Sequence, residues 1–144
     1  MLWHCYLRKG IVYTPVIARM EPRAGYLEME PVAIVPVSDT SGLRLAFQKV
    51  IAHGNPSIPA PGRANFPKPF LHKIAGARSM AAFERETLTW GIHCGDEAPQ
   101  IFGYRRRSDG IGWEQDPNQI TVLPPGSTTD DVCNRMIAIL QAAS

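Results

Sequence analysis

The sequence predicts an α+β fold: a mainly antiparallel sheet of about six strands in two meanders, with two principal helices packed on one face. Three observations predict it. Runs rich in aromatic and β-branched residues, several with period-two alternation, fall into two groups bounded by turn residues. Each group leads into a capped stretch with apolar residues at helical spacing. The longest irregular segment, residues 55–69, lies between the groups.

The first group opens with a predicted hairpin, residues 3–7 against residues 11–18, with Arg8-Lys9-Gly10 as the turn and Gly10 free to take positive φ. Pro15 places the second run at an edge or at a bulge. Residues 21–25 form a polar connection containing Pro22. The chain then reads YLEMEPVAIVPV, SDT and SGLRLAFQKVIAHGN: a strand, a cap and a helix. Leu27 and Met29 alternate with Glu28 and Glu30, the pattern of a strand with one wet face. Val32-Ala33-Ile34-Val35 is an apolar run suited to a strand covered on both sides. Asp39 or Ser38 caps the helix, Leu43, Phe47, Val50 and Ile51 form its stripe, and Gly54-Asn55-Pro56 stops it.

Residues 55–69, NPSIPAPGRANFPKP, hold five prolines in fifteen positions, which excludes a helix and any central strand. They read as a surface connection crossing the end of the sheet. A binding loop is the functional alternative, and Pro56 and Pro59 also make a PxxP match. Residues 70–75 read as a short strand, and Ser79 as the cap of a short helix with Phe83 facing inward. In residues 87–94, Leu88, Trp90, Ile92 and Cys94 share one face, and Thr87, Thr89, Gly91 and His93 the other. Residues 95–99 are a loop, residues 100–106 a strand, and Ser108-Asp109-Gly110 a turn. Strand continues over residues 111–114 and 119–123, interrupted at Asp116-Pro117-Asn118. The last helix has Ser127 or Thr128 as cap and Asp130 and Asp131 in its first turn. Its stripe is Val132, Cys133, Met136, Ile137 and Leu140, with Asp131 and Arg135 spaced to pair on the wet side.

A chain of 144 residues fits one domain, residues 1–144, with a core that needs no metal or disulfide support. With 44% hydrophobic and 19% charged residues it is globular in composition, and a net charge of +2 gives no general attraction to nucleic acid or membranes. No apolar run approaches the roughly 20 residues needed to span a bilayer. The N-terminal MLWHCYLRKG lacks the order of a secretory signal, and three scattered cysteines (Cys5, Cys94, Cys133) make no disulfide framework. Reduced thiols in the cytoplasm follow as the expectation.

No chemistry-bearing motif emerges. The dipeptides His4-Cys5 and His93-Cys94 lie in predicted strands, where neighbours point to opposite faces, so neither chelates one ion. There is no CxxC or HxxxH spacing, no glycine-rich phosphate loop and no GxSxG elbow, so no metal or other cofactor is expected. Cys94 alternates with Trp90 and Ile92 and reads as core, where burial keeps a thiol inert. Glu28 and Glu30, about 7 Å apart by strand geometry, read as a solvated strand face and not as an acid–base pair. Arg105-Arg106-Arg107 follows Phe102 and Tyr104, and Trp113 lies across the turn. That mixture suits phosphates and bases. Asp109, Glu114 and Asp116 offset it, which makes nucleic acid an alternative and not the main reading.

In size, architecture and absence of catalytic motifs, the whole chain resembles the immunity proteins of bacterial toxin systems. The resemblance is one of outline and carries no residue over; the slight basicity departs from the acidic character common among inhibitors of nucleases. It implies a non-catalytic module that binds another protein and inhibits by occluding an active site. The residue types enriched at binding hot spots then single out Phe66 and Lys68 on the Pro-rich loop, and Tyr104, Arg105, Arg107, Trp113 and Glu114 around the last hairpin. A ligand site or enzyme between the sheet and the Pro-rich loop, marked by His72, His93 or Glu84 converging there, is the second reading. A homo-oligomer would expose the runs led by Trp3 and Trp90.

Overall fold

The computed structural model describes residues 1–110 and 112–144. The strand start predicted at Ile111 lies outside the described residues. Among the described residues, seven strands form one sheet: β1 (Leu2–Arg8), β2 (Ile11–Glu21), β3 (Tyr26–Pro36), β4 (Ser57–Pro59), β5 (Thr87–His93), β6 (Gln100–Arg106) and β7 (Trp113–Val122). The helices are α1 (Thr40–His53), α2 (Leu71–Ile74), α3 (Met80–Arg85) and α4 (Thr129–Ala143). The sheet order is β3-β2-β1-β5-β6-β7, antiparallel throughout, with β4 added in parallel to the far end of β2. The predicted α+β class, with two meanders and two principal helices on one face, is the observed one.

The dry face of the sheet is built by alternation. Trp3, Cys5 and Leu7 of β1, Trp90 and Ile92 of β5 and Ile101 of β6 meet Leu43, Phe47 and Val50 of α1 and the whole predicted stripe of α4. Trp3 and Phe47 pack ring to ring with centroids 5.0 Å apart. Both principal helices start as their cap residues dictate: Asp39 accepts from the Gly42 N–H at 2.9 Å, and Thr128 and Asp131 form a reciprocal capping box. Asp131 is thereby held by the Thr128 N–H at 2.8 Å, the role it takes in place of the expected pair with Arg135.

The opposite face carries a second, smaller core of Tyr6, Tyr13, Leu71 and Phe83, closed by α2 and α3. The expected strand at residues 70–75 is a single helical turn here. Leu71 and Ile74 are three apart and share a face of that turn, and so short an apolar run does not separate the two periods. Ser79 caps α3 as expected, accepting from the Ala82 N–H at 3.1 Å, and Phe83 is buried. The Pro-rich segment carries the chain from one face to the other past the end of β2. It contains the three-residue β4 and one 3-10 turn (Arg63–Asn65), an edge strand and a tight turn that proline tolerates.

Two further expectations are corrected. The apolar run at 32–35 is not covered on both sides, because β3 ends as an edge strand; Ile34 is 53% exposed. The interruption at Asp116-Pro117-Asn118 does not divide a strand. It is a bulge in a continuous β7, where register passes from Phe102↔Ile120 to Tyr104↔Gln115. Asp116 turns this bulge, accepting from the Asn118 N–H and the Gln119 side chain, and Gly103 opposite leaves room for Gln119. A Cβ at Gly103 would lie 2.4 Å from Gln119 Oε1.

The joint between β1 and β2 governs the shape of the left half of the sheet. The two-residue turn places Lys9 (φ 50) and Gly10 (φ 76) in the left-handed region, the geometry of tight hairpins. Pairing then runs only from Arg8↔Ile11 to Tyr6↔Tyr13 before the strands part. A bulge follows at Pro15/Val16, opposite Glu30-Pro31, as Pro15 predicted. The fork is filled by Asn55, just past α1. Its Oδ1 accepts from the Leu2 N–H at 2.8 Å, and its Nδ2 donates to Leu2 O at 2.7 Å and Ile17 O at 2.9 Å. One side chain thus replaces the missing strand ladder. Asn55→Ala is expected to lower unfolding free energy by about 2–3 kcal/mol, measured in urea, since three backbone groups lose partners; Asn55→Asp, which keeps size but removes both donors, is expected to fall nearly as far.

Candidate functional site

Beyond the cover of α2 and α3, the second face of the sheet is polar and aromatic. His4 and Tyr6 project from β1, one strand period apart, and Glu28 reaches them from β3 although β2 lies between. The fork and the bulge make this reach possible, because they let the β2–β3 hairpin turn over the face. His4 Nδ1 donates to Glu28 Oε1 at 2.8 Å, and the Tyr6 hydroxyl donates to the same oxygen. Glu28 is therefore a half-buried acceptor at the centre of a network, and not the solvated residue that strand alternation implied. Its side chain keeps 25% of its exposure.

Tyr104 of β6 completes the group, with its ring centroid 5.9 Å from that of His4 in edge geometry and 5.5 Å from that of Phe102. The close approach depends on Gly91, which faces His4 across the β1–β5 pair. A Cβ there would sit 2.5 Å from the Phe102 ring and 3.1 Å from the Tyr104 hydroxyl. Burial, and then the negative charge of Glu28, pushes the Tyr6 hydroxyl well above its ordinary value and raises that of Tyr104. Both phenols are held neutral, and that of Tyr6 donates to Glu28. Deeper along β1, Arg8 is buried and donates to Ala75 O at 3.1 Å and Glu86 Oε2 at 2.7 Å, tying the α2 end to the sheet. The guanidinium of Arg8, followed by Lys9, lowers the Glu86 carboxyl.

The residues singled out from sequence divide into three places. Phe66 and Lys68 stand on the Pro-rich loop, both exposed, and line a cavity of about 220 Å3 with Glu28, Phe70 and Met80. Tyr104 packs edge-on against His4 of the Glu28 network and does not line that cavity. Trp113 pairs with Arg106 further along the same face of β6–β7. Arg105 and Glu114 pair on the opposite face of that hairpin, at 3.0 Å, with Asp116 3.9 Å from Arg105. Arg107 sits at the turn, 3.4 Å from Asp109. Sequence reading missed His4, Tyr6 and Glu28; the available signal was two polar aromatic residues on one side of an otherwise apolar first strand. His72 lies on α2, and none of His72, His93 and Glu84 lines the cavity. A wider, open depression of about 830 Å3 lies between the end of β7 and α4, and none of the polar network faces it.

Trp3 and Trp90 are buried in the core and present no apolar face. Exposed large apolar residues are scattered: Tyr26 and Ile34 on β3, Ile120 and Val122 on β7, Leu45 on α1, Phe66 on the Pro-rich loop, and Leu88 on β5, which does not share the burial of Trp90 and Ile92. His4 and Cys5 do point to opposite faces, His4 toward Glu28 and Cys5 into the core. No three His, Cys, Asp or Glu side chains among the described residues are grouped to hold a metal ion. No helix among them is long and apolar enough to cross a membrane.

This is an α+β sheet protein with helices on both faces and a polar aromatic patch left open on one. No protein-family model and no curated protein matches the chain. Its fold is shared by solved structures. A protein of unknown function from Neisseria meningitidis superposes with a TM-score of 0.67 at 10% identity, over 99% of this chain and 93% of that one. A chain of a CdiA-CT/CdiI toxin and immunity complex from Yersinia pseudotuberculosis superposes with a TM-score of 0.61 at 12% identity, over 99% and 95%.

Two outcomes follow from the site. A hydroxyl whose proton is held more tightly in the folded than in the unfolded chain stabilises the fold below the ordinary tyrosine value of 10.0, and that stability drains away as pH rises through the folded value. Stability measured from pH 8 to pH 12 is expected to fall less steeply in Tyr6→Phe than in the parent. Burial also pushes the Cys5 thiol up to about 12 and Cys133 to about 11, while Cys94 is only half-buried. Alkylation of the native protein at pH 8, mapped by mass spectrometry, is expected to mark Cys94 first and the other two only on unfolding.

Proposed function

We propose that the chain is a non-catalytic, protein-binding module that acts as an immunity protein, neutralising a toxin by occluding its active site or substrate groove. The observation that carries this reading is the end-to-end likeness of fold to a chain of a toxin and immunity complex. The surface supports it. An exposed aromatic on a proline-stiffened loop (Phe66) and a hairpin that carries Trp113 on one face and the Arg105–Glu114 pair on the other supply the residue types of binding patches. Phe66, Lys68, Tyr104, Arg105, Arg107, Trp113 and Glu114 are the proposed contact residues. The chain acts in this reading as one cytoplasmic domain with free thiols.

A second reading, a small-ligand site, draws on the cavity between the sheet and the Pro-rich loop. Nucleic-acid binding through the arginine run is weakened as an alternative by the pairing of Arg105 with Glu114 and of Arg107 with Asp109.

Affinity capture of the tagged protein from lysate of its source cell, with mass spectrometry of what co-elutes, tests the proposal. A stoichiometric partner is expected, toxic when expressed alone, with capture weakened at least tenfold by Arg105→Glu or Trp113→Ala. A protein that carries no partner overturns it.

A further inference from the structure

The Glu28 carboxylate is used on one side only. Tyr6 and His4 both donate to Oε1, and Oε2 has no hydrogen bond or ion pair among the described residues. Glu28 also lines the cavity beneath the Pro-rich loop, whose other walls include Leu27, Phe66, Lys68, Phe70 and Met80. A carboxylate held by two donors is fixed in place, and Glu28 shares the lining of one cavity with Phe66 and Phe70. That pairing suits a cation: the charge meets the carboxylate, and the ring faces attract what is left of it. At about 220 Å3 the space is smaller than the roughly 300 Å3 at which sites for drug-sized ligands begin, and it suits a single side chain.

We propose that this cavity takes the guanidinium of an arginine side chain presented by a partner protein. Glu28 Oε2 accepts its N–H groups, and Phe66 and Phe70 flank its stem. A guanidinium is favoured over an ammonium because it is planar, weakly hydrated and stacks on aromatic rings. The inference rests on the protein-binding reading. Lys68 supplies its sharpest test, because a cationic occupant is repelled by Lys68 whereas an anionic one would be held by it.

The probe is N-acetyl-arginine N-methylamide, titrated into isotope-labelled protein at low salt, with the norleucine analogue as apolar control. The arginine compound is expected to shift the resonances of Glu28, Phe66 and Phe70, and the norleucine analogue to bind at least about tenfold more weakly. Glu28→Gln is expected to weaken the arginine compound by a similar factor, and Lys68→Gln to tighten it about threefold by removing a like charge. Lys68→Gln and Phe66→Ala change only the exposed loop, so they report even if Glu28→Gln loosens the sheet. No binding to the parent protein, equal binding of the norleucine analogue, or weakening by Lys68→Gln overturns the assignment. A captured partner held equally well by Glu28→Gln and Lys68→Gln overturns it too, and leaves the protein-binding reading intact. Binding of the arginine compound with no partner captured from lysate removes that reading and the partner with it, while the preference of the cavity for a cation stands.

Discussion

The fork between β1 and β2 is the feature on which the rest of this molecule depends. Two strands joined by a two-residue turn would ordinarily stay paired along their length, yet here pairing stops after three residue pairs. An open fork leaves backbone N–H and C=O groups without partners, which a buried site does not tolerate. Asn55 satisfies them with one amide side chain that serves both strands. Because Asn55 directly follows α1, the same contact fixes where that helix ends and where the Pro-rich segment begins. The freed end of β2 takes up β4 instead, and β3 swings in far enough for Glu28 to meet His4 and Tyr6.

The two faces of the sheet solve different problems. The face under α1 and α4 is dry and closely packed, with Trp3, Phe47, Met136 and Leu140 wholly buried. Its stabilisation is the burial of apolar area, on the order of 1.5–3 kcal/mol for each large side chain. The other face is covered only in part, by a turn and a short helix whose Leu71 and Phe83 pack over Tyr6 and Tyr13. Where that cover ends, tyrosines, a histidine and a carboxylate take over. Such groups are tolerated half-buried because they bond to one another, and they remain able to bond to something that arrives. An interaction surface is therefore expected on this face, beyond the cover of α2 and α3.

Much of the fold was legible because it rests on local rules. Asp39 and Thr128 cap their helices through contacts three residues long, and the five residues of the predicted stripe in the last helix are its buried residues. The hairpin turn at Lys9-Gly10, the loop at residues 95–99 and the bulge beside Pro15, where Glu30-Pro31 of β3 is left unpaired, follow from what glycine and proline permit. Less was legible where one local pattern served two outcomes. Residues 70–75 are too short a run to separate strand from helix and pack as a turn of helix; the apolar run at 32–35 suits a central strand and stands at an edge.

By itself, then, the sequence determined the class of fold, the ends of its helices, which side of each is dry, and that the chain carries no familiar catalytic motif. Alternation, capping and turn chemistry act over a few residues, so they are written in the order of the residues. The tertiary structure alone decided strand order, the covering of the second face by α2 and α3, and the meeting of His4, Tyr6, Glu28 and Tyr104. Those four come from three strands separated by as many as 100 positions, and what joins them is the twist of the sheet and the fork that Asn55 holds open. No spacing in the chain encodes a distance created by folding.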